Sequence, residues 1–181
     1  LQSEALADFD GLVRRAFCSA TGTVPSQEEW SQACNGVRHG GLGLRSCARH
    51  CEAAFLASCC FAREHCHKLD PGFQLGAGED ASHFGMALAA YNAKLPQNEQ
   101  LSAPTASEKR QRQLSDALDK AAFERRAAGL DLADQATLLS ECQQGARYFR
   151  LATPNSGNAV PAAEFCEEVR YRLCMPERED T

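Results

Sequence analysis

A chain of 181 residues with 44% apolar and 24% charged side chains is composed for folding rather than disorder, with enough length for one sizeable core or two small ones. Its net charge of −5 argues against free-standing nucleic-acid binding through bulk electrostatics, and no run approaches the ~18 apolar residues that span a bilayer. Leu1 stands where a start methionine would, and Leu1 to Asp10 lack a basic and then apolar leader, so an intracellular fragment of a longer protein is expected.

Ser3 to about Ala20 has helical spacing, with Leu6, Phe9, Val13, Ala16 and Phe17 on one face, Ser3 as cap and Thr21-Gly22-Thr23 as stop. Ser26-Gln27-Glu28-Glu29 after Pro25 has capping-box spacing and predicts a short helix carrying Trp30 and Ala33, ended by Asn35-Gly36. Then comes Gly40-Gly41-Leu42-Gly43-Leu44-Arg45-Ser46, the stretch around which the rest is organised. Its glycines allow left-handed backbone or close packing, and Ser46 offers an oxygen to the helix that follows. That helix is expected to run to about His67, with Cys47, Cys51, Ala54, Phe55, Ser58 and Ala62 on its small apolar face and Asp70-Pro71-Gly72 beyond it.

Residues 72–84 look like a loop, and Met86 to Lys94 a short helix with Met86, Leu88, Ala89 and Tyr91. Pro96 to Pro104 is polar. Thr105-Ala106-Ser107-Glu108 again has capping-box spacing, predicting a helix to Ala128 that buries Leu114, Ala117, Leu118 and Ala121 and stops at Gly129. Asp131 caps a helix bearing Leu132, Ala136 and Leu139, stopped near Gly145. An apolar segment, Ala146 to Leu151, and a turn, Pro154 to Asn158, follow. Pro161 suits the first position of a last helix burying Ala162, Phe165, Cys166, Val169 and Leu173. Nothing alternates with period two, so the expected fold is all-α, an irregular bundle of about six helices. The natural divisions are 1–70 with the glycine turn, a loop-rich linker at 71–104 with one short helix, and a helical half at 105–181.

The ten cysteines fall inside helical patterns with ample Leu, Ala and Phe around them, which favours free, buried thiols acting as small apolar side chains over a disulfide framework. Cys47 and Cys51 have i, i+4 spacing for two zinc ligands, but Cys59 lies about 12 Å further along the same helix. His65-Cys66-His67 is further still. No metal site and no cofactor is expected. His50 and Cys51 point about 100° apart on a helix, so their adjacency makes no catalytic dyad. The glycine turn follows no strand and precedes no P-loop lysine, so close helix packing is its expected use.

"GGLGLRS" followed by "AAFLAS" resembles a block found after the polymerase core in reverse transcriptases of non-LTR retrotransposons. In order around it, "FDGLVRRAF", "VPSQEEWSQAC", "QRQLSDALDKAAFERRAA", "LLSECQQGARYFRLATP" and "AAEFCEEVRYRLCMP" resemble further blocks of that family. Cys174-Met175 stands where the family's closing block has a glycine. The resemblance implies a thumb-like N-terminal half, and partners in the rest of a polyprotein: the palm, a zinc knuckle and an endonuclease. It also implies template-backbone contacts for Arg45, Arg49, Arg110 and Arg112, which would position nucleic acid weakly rather than read it. The family's aromatic-x-Asp-Asp turn is absent from these residues, so no catalytic residue is expected here. An independent cysteine-rich helical interaction or metal-binding domain is the alternative.

Overall fold

In a computed structural model, the described residues are 3–73, 80–102, 106, 109–143 and 160–175. Among them the fold is all-α: α1 Ser3–Thr21, α2 Gln27–Ala33, α3 Cys47–Leu69, α4 Asp80–Asn92, α5 Gln111–Ala128, α6 Leu132–Glu141 and α7 Ala162–Arg172. Short 3-10 turns cover Val37–His39 and Gln97–Glu99. Contacts group the chain into two units: Leu1–Cys47 with Ala122–Thr181, and Ala48–Ala121. The second boundary falls within α5.

In the first unit, α1 ends where Gly22 turns left-handed at φ 64° and its N–H closes on the Cys18 carbonyl at 2.9 Å. The capping box on α2 is complete, the Ser26 hydroxyl accepting from Glu29 N–H and the Glu29 carboxylate from Ser26 N–H. Trp30, Ala33 and Cys34 then pack with Val169 and Leu173 of the last helical stretch, with Val13 and Phe17 against them. Asp131 caps α6 through the N–H of Asp134.

The second unit has its core in Ala53 and Leu56 of α3, Phe84, Ala87, Leu88 and Tyr91 of α4, and Leu114, Leu118 and Ala121 of α5. The Tyr91 hydroxyl donates to the Leu114 carbonyl at 3.0 Å. Asn92 clamps the chain beyond α4, its side chain donating to the Leu101 carbonyl and accepting from the Leu101 N–H.

Several expected faces are out of phase. On α3 the buried stripe is His50, Ala53 and Leu56, while Ser58 is exposed. α4 begins at Asp80, within the expected loop, and turns Phe84, Ala87, Leu88 and Tyr91 inward while Met86 and Ala89 face solvent. That inward set has i, i+3, i+4, i+7 spacing, the stripe a helix needs. α5 starts at Gln111 rather than 105, and the Gln113 side chain accepts the Arg110 N–H at its entry. On α6, Leu132, Ala136 and Leu139 are not the buried set; Leu138 is. On α7, Ala162 and Phe165 are exposed, while Val169 and Leu173 are buried as expected. The expected capping residues Thr105, Ser107 and Glu108, the segment Ala146 to Leu151 and the turn Pro154 to Asn158 lie outside the described residues.

Candidate nucleic-acid interface

The glycine turn is shaped by the carbonyls that α2 leaves unpaired at its C-terminus. The N–H groups of Leu42 and Leu44 both close on the Ala33 carbonyl, and that of Gly43 on the Asn35 carbonyl at 2.9 Å. To make those bonds the backbone must double back, with Gly40 at φ 67° and Gly43 at φ 77°. Gly41 passes so close that a Cβ there would lie 2.1 Å from the Asn35 carbonyl oxygen. At the end of the turn Ser46 donates its hydroxyl to Asp10 Oδ2 at 2.6 Å, and Asp10 Oδ1 accepts the Cys47 N–H at 2.7 Å. Asp10 on α1 is therefore a cap for α3 supplied from 37 residues away, which local spacing had no means of revealing.

The turn is fastened by Arg172, whose side chain is fully buried. Its Nε donates to the Gly41 carbonyl and its Nη2 to the Val37 carbonyl, both at 3.1 Å. Nη2 also donates to the Glu141 carbonyl, and Nη1 bonds the Glu141 carboxylate. One planar guanidinium thus joins the glycine turn, the end of α6 and the end of α7. Burial pushes the Glu141 carboxyl up from its ordinary range against the pull of Arg172. The signal for Arg172 was its place three residues after Val169 and beside Leu173, on the buried face of the last helix.

The four arginines singled out have different situations. Arg45 is exposed, directly after the turn. Arg49, half-buried on α3, bonds Asp119 Oδ1 at 3.3 Å, and His50 Nε2 lies 3.1 Å from the same oxygen. Asp119 is only 1% exposed, so Arg49 is engaged in balancing a buried carboxylate. Arg112 is exposed and lies 4.0 Å from Asp116, one turn along α5. Arg110, exposed at the entry to α5, lines an open groove of about 460 Å³ with Lys109 and Gln111 on one side. Ala57, Ser58, Cys60 and Phe61 of α3 form the other side. Of the described arginines in the second unit, Arg110 alone lines this groove.

Phe61 is not among the residues named for the expected apolar face of α3, although it stands three residues after Ser58 and seven after Ala54; the structure turns that part of the helix to solvent. Phe61 is 79% exposed, its ring tilted against His65 with centroids 5.9 Å apart. Burial pushes the neighbouring Cys60 thiol up, so it stays protonated at neutral pH. All ten cysteines are free thiols, but only Cys34 is buried as expected; the other nine are half-buried, because they lie at the margins of the helix faces that form the cores. Among the described residues no three Cys, His, Asp or Glu side chains are grouped as metal ligands, and no helix is long and apolar enough to cross a membrane. The chain matches no family model, no curated protein and no solved structure.

Proposed function

We propose that this chain is a non-catalytic helical segment of a reverse transcriptase of the non-LTR retrotransposon type. It braces the polymerase core and touches the phosphate backbone of template or nascent duplex through exposed basic side chains. The palm, zinc knuckle and endonuclease of the same polyprotein are its partners.

The reading is supported by the convergence of three blocks of the resemblance on one guanidinium. The glycine turn, the "LLSEC" helix and the closing "RYRL" helix meet at Arg172, across 131 residues to Gly41 and 31 to Glu141. A shared buried anchor is what segments of one folding unit would have, and that supports reading the blocks together. Glu52, Asp119 and Glu141 are each matched to a cation, which fits a supporting role for the buried carboxylates.

Binding of a fluorescent oligonucleotide by the chain, followed by anisotropy against salt, tests the nucleic-acid part of this reading. With about two phosphates neutralised, affinity is expected to be weak and to fall roughly tenfold between about 50 and 200 mM salt. Tight binding indifferent to salt, or no binding at the lower concentration, contradicts it.

A further inference from the structure

From the groove between α3 and the entry to α5 we infer a site for an unpaired nucleotide, with the base on Phe61 and its phosphate on Lys109 and Arg110. This rests on the nucleic-acid reading above and goes beyond it in naming the strand type and the residues. Three features of the groove carry it.

First, Phe61 presents its ring to solvent, at 79% exposure, beside a groove and not on a buried face. Water-exposed aromatic rings of this kind are what base stacking uses, because every base offers a π-face. Second, among the described residues the lining holds two cations and no carboxylate, in a chain with 24 acidic residues against 19 basic ones. The cations lie just ahead of the 18-residue helix α5, whose N-terminal partial positive charge adds to theirs. Third, the groove's volume, about 460 Å³, falls in the roughly 300–1,000 Å³ range of ligand clefts, yet the groove is open. Such a shape suits one nucleotide of a continuing strand better than a small molecule that must be enclosed.

A duplex keeps its bases stacked on one another and would offer this groove only phosphates. A single strand can offer both base and phosphate, which is the combination that this lining addresses. Ser58 and Gln111 supply polar edges for the sugar or base without fixing a sequence, so little base preference is expected.

The test compares fluorescein-labelled single-stranded oligo-dT with a duplex of the same length, using the full chain and its variants. Phe61→Ala should weaken single-strand binding about tenfold or more, the usual loss of one stacked base, and change duplex binding less than about twofold. Phe61→Trp should restore single-strand binding, and the new indole should be quenched as the oligonucleotide is added. The double variant Lys109→Ala, Arg110→Ala should flatten the salt slope for single strands by about 1.4, two phosphates' worth. Met86→Ala, an exposed apolar residue of α4 outside the groove, is the control. Circular dichroism checks the fold of each variant; Phe61→Trp keeps the proposal testable should Phe61→Ala fail to fold.

Single-strand binding indifferent to Phe61→Ala and to the double variant, or an indole in Phe61→Trp that the oligonucleotide leaves unquenched, overturns the groove proposal. If duplex binding then persists with its salt dependence, the broader nucleic-acid reading stands without it. If neither strand form binds at low salt, both fall.

Discussion

A side chain cannot be added at Gly41 without moving backbone. The Cβ of an alanine would lie 2.1 Å from the Asn35 oxygen and 2.6 Å from that of Gln32, and neither is a flexible side-chain tip. Gly41→Ala is therefore expected to cost about 3 kcal/mol, at the upper end of overpacking, read as a lowered urea midpoint. Gly43 makes the contrast, since its Cβ would meet only Val37 Cγ2 at 3.8 Å. Its left-handed φ of 77° is the difficulty, and Gly43→Ala should cost only about 1–2 kcal/mol. Equal costs at the two positions would contradict the geometry.

Arg172 extends the same residue-scale logic. Arg172→Met leaves the Glu141 carboxyl and three carbonyl bonds without their donor, and is expected to cost roughly 3–5 kcal/mol. Adding Glu141→Leu should recover part of this by removing the stranded carboxylate. Full recovery is not expected, because the carbonyls of Gly41 and Val37 remain unserved. Thermal unfolding of the two variants separates these outcomes, and full recovery would mean that the carbonyl bonds contribute nothing.

At the scale of elements, α3 and the segment after α4 are joined by Glu52 and Lys94. The ammonium bonds the Glu52 carboxylate and donates to the carbonyls of Ala48 and Arg49 at 3.3 and 3.0 Å. Burial, the largest single influence on Glu52, favours its neutral form. The hydrogen bond from Lys94, those of its own amide and the Cys51 thiol, and the charge of Lys94 together outweigh burial, so the carboxyl lies below its ordinary value near 4.5. As pH falls below 4.5 the unfolded chain takes up this proton before the folded one does. The resulting stabilisation is present above that value and is lost as pH falls through the folded carboxyl's own range. Urea midpoints measured from about pH 6 downward should fall in the native chain, and Glu52→Gln should flatten that decline. An unchanged profile in the variant would show that Glu52 is not its source.

The existence of most described helices was legible because their signals are local: Ser26 with Glu29, Gly22 after α1, Asp131 before α6. The phase of each helix was less legible. On ten-residue α6 the neighbours Leu138 and Leu139 are equal candidates by spacing, and the choice falls to Leu138, whose Cδ1 abuts Gly40. α4 is rich in small residues all round, so Phe84 and Tyr91 mark its inner face only when the helix is extended back into the expected loop. Of the site residues, Gly40, Gly41 and Gly43 could be picked from composition alone. Asp10 and Asp119 could not, because each is a charged residue whose partner lies 37 or more positions away, and Arg172 offered only its place on the buried face of the last helix, not its partners.

For the whole molecule, the two units accommodate an acidic chain with locally basic features. The first is tied by Arg172 to its glycine turn, and the second carries the groove that Phe61 and Arg110 line. In the reading proposed above, copying chemistry belongs to a preceding part of the same polypeptide, whose aspartates would hold the working metals. Sequencing the full-length transcript addresses this directly. The account predicts that the reading frame continues upstream, without a stop, into a block with the aromatic-x-Asp-Asp turn. A transcript in which a start codon immediately precedes Leu1 and a stop follows Thr181 would contradict it.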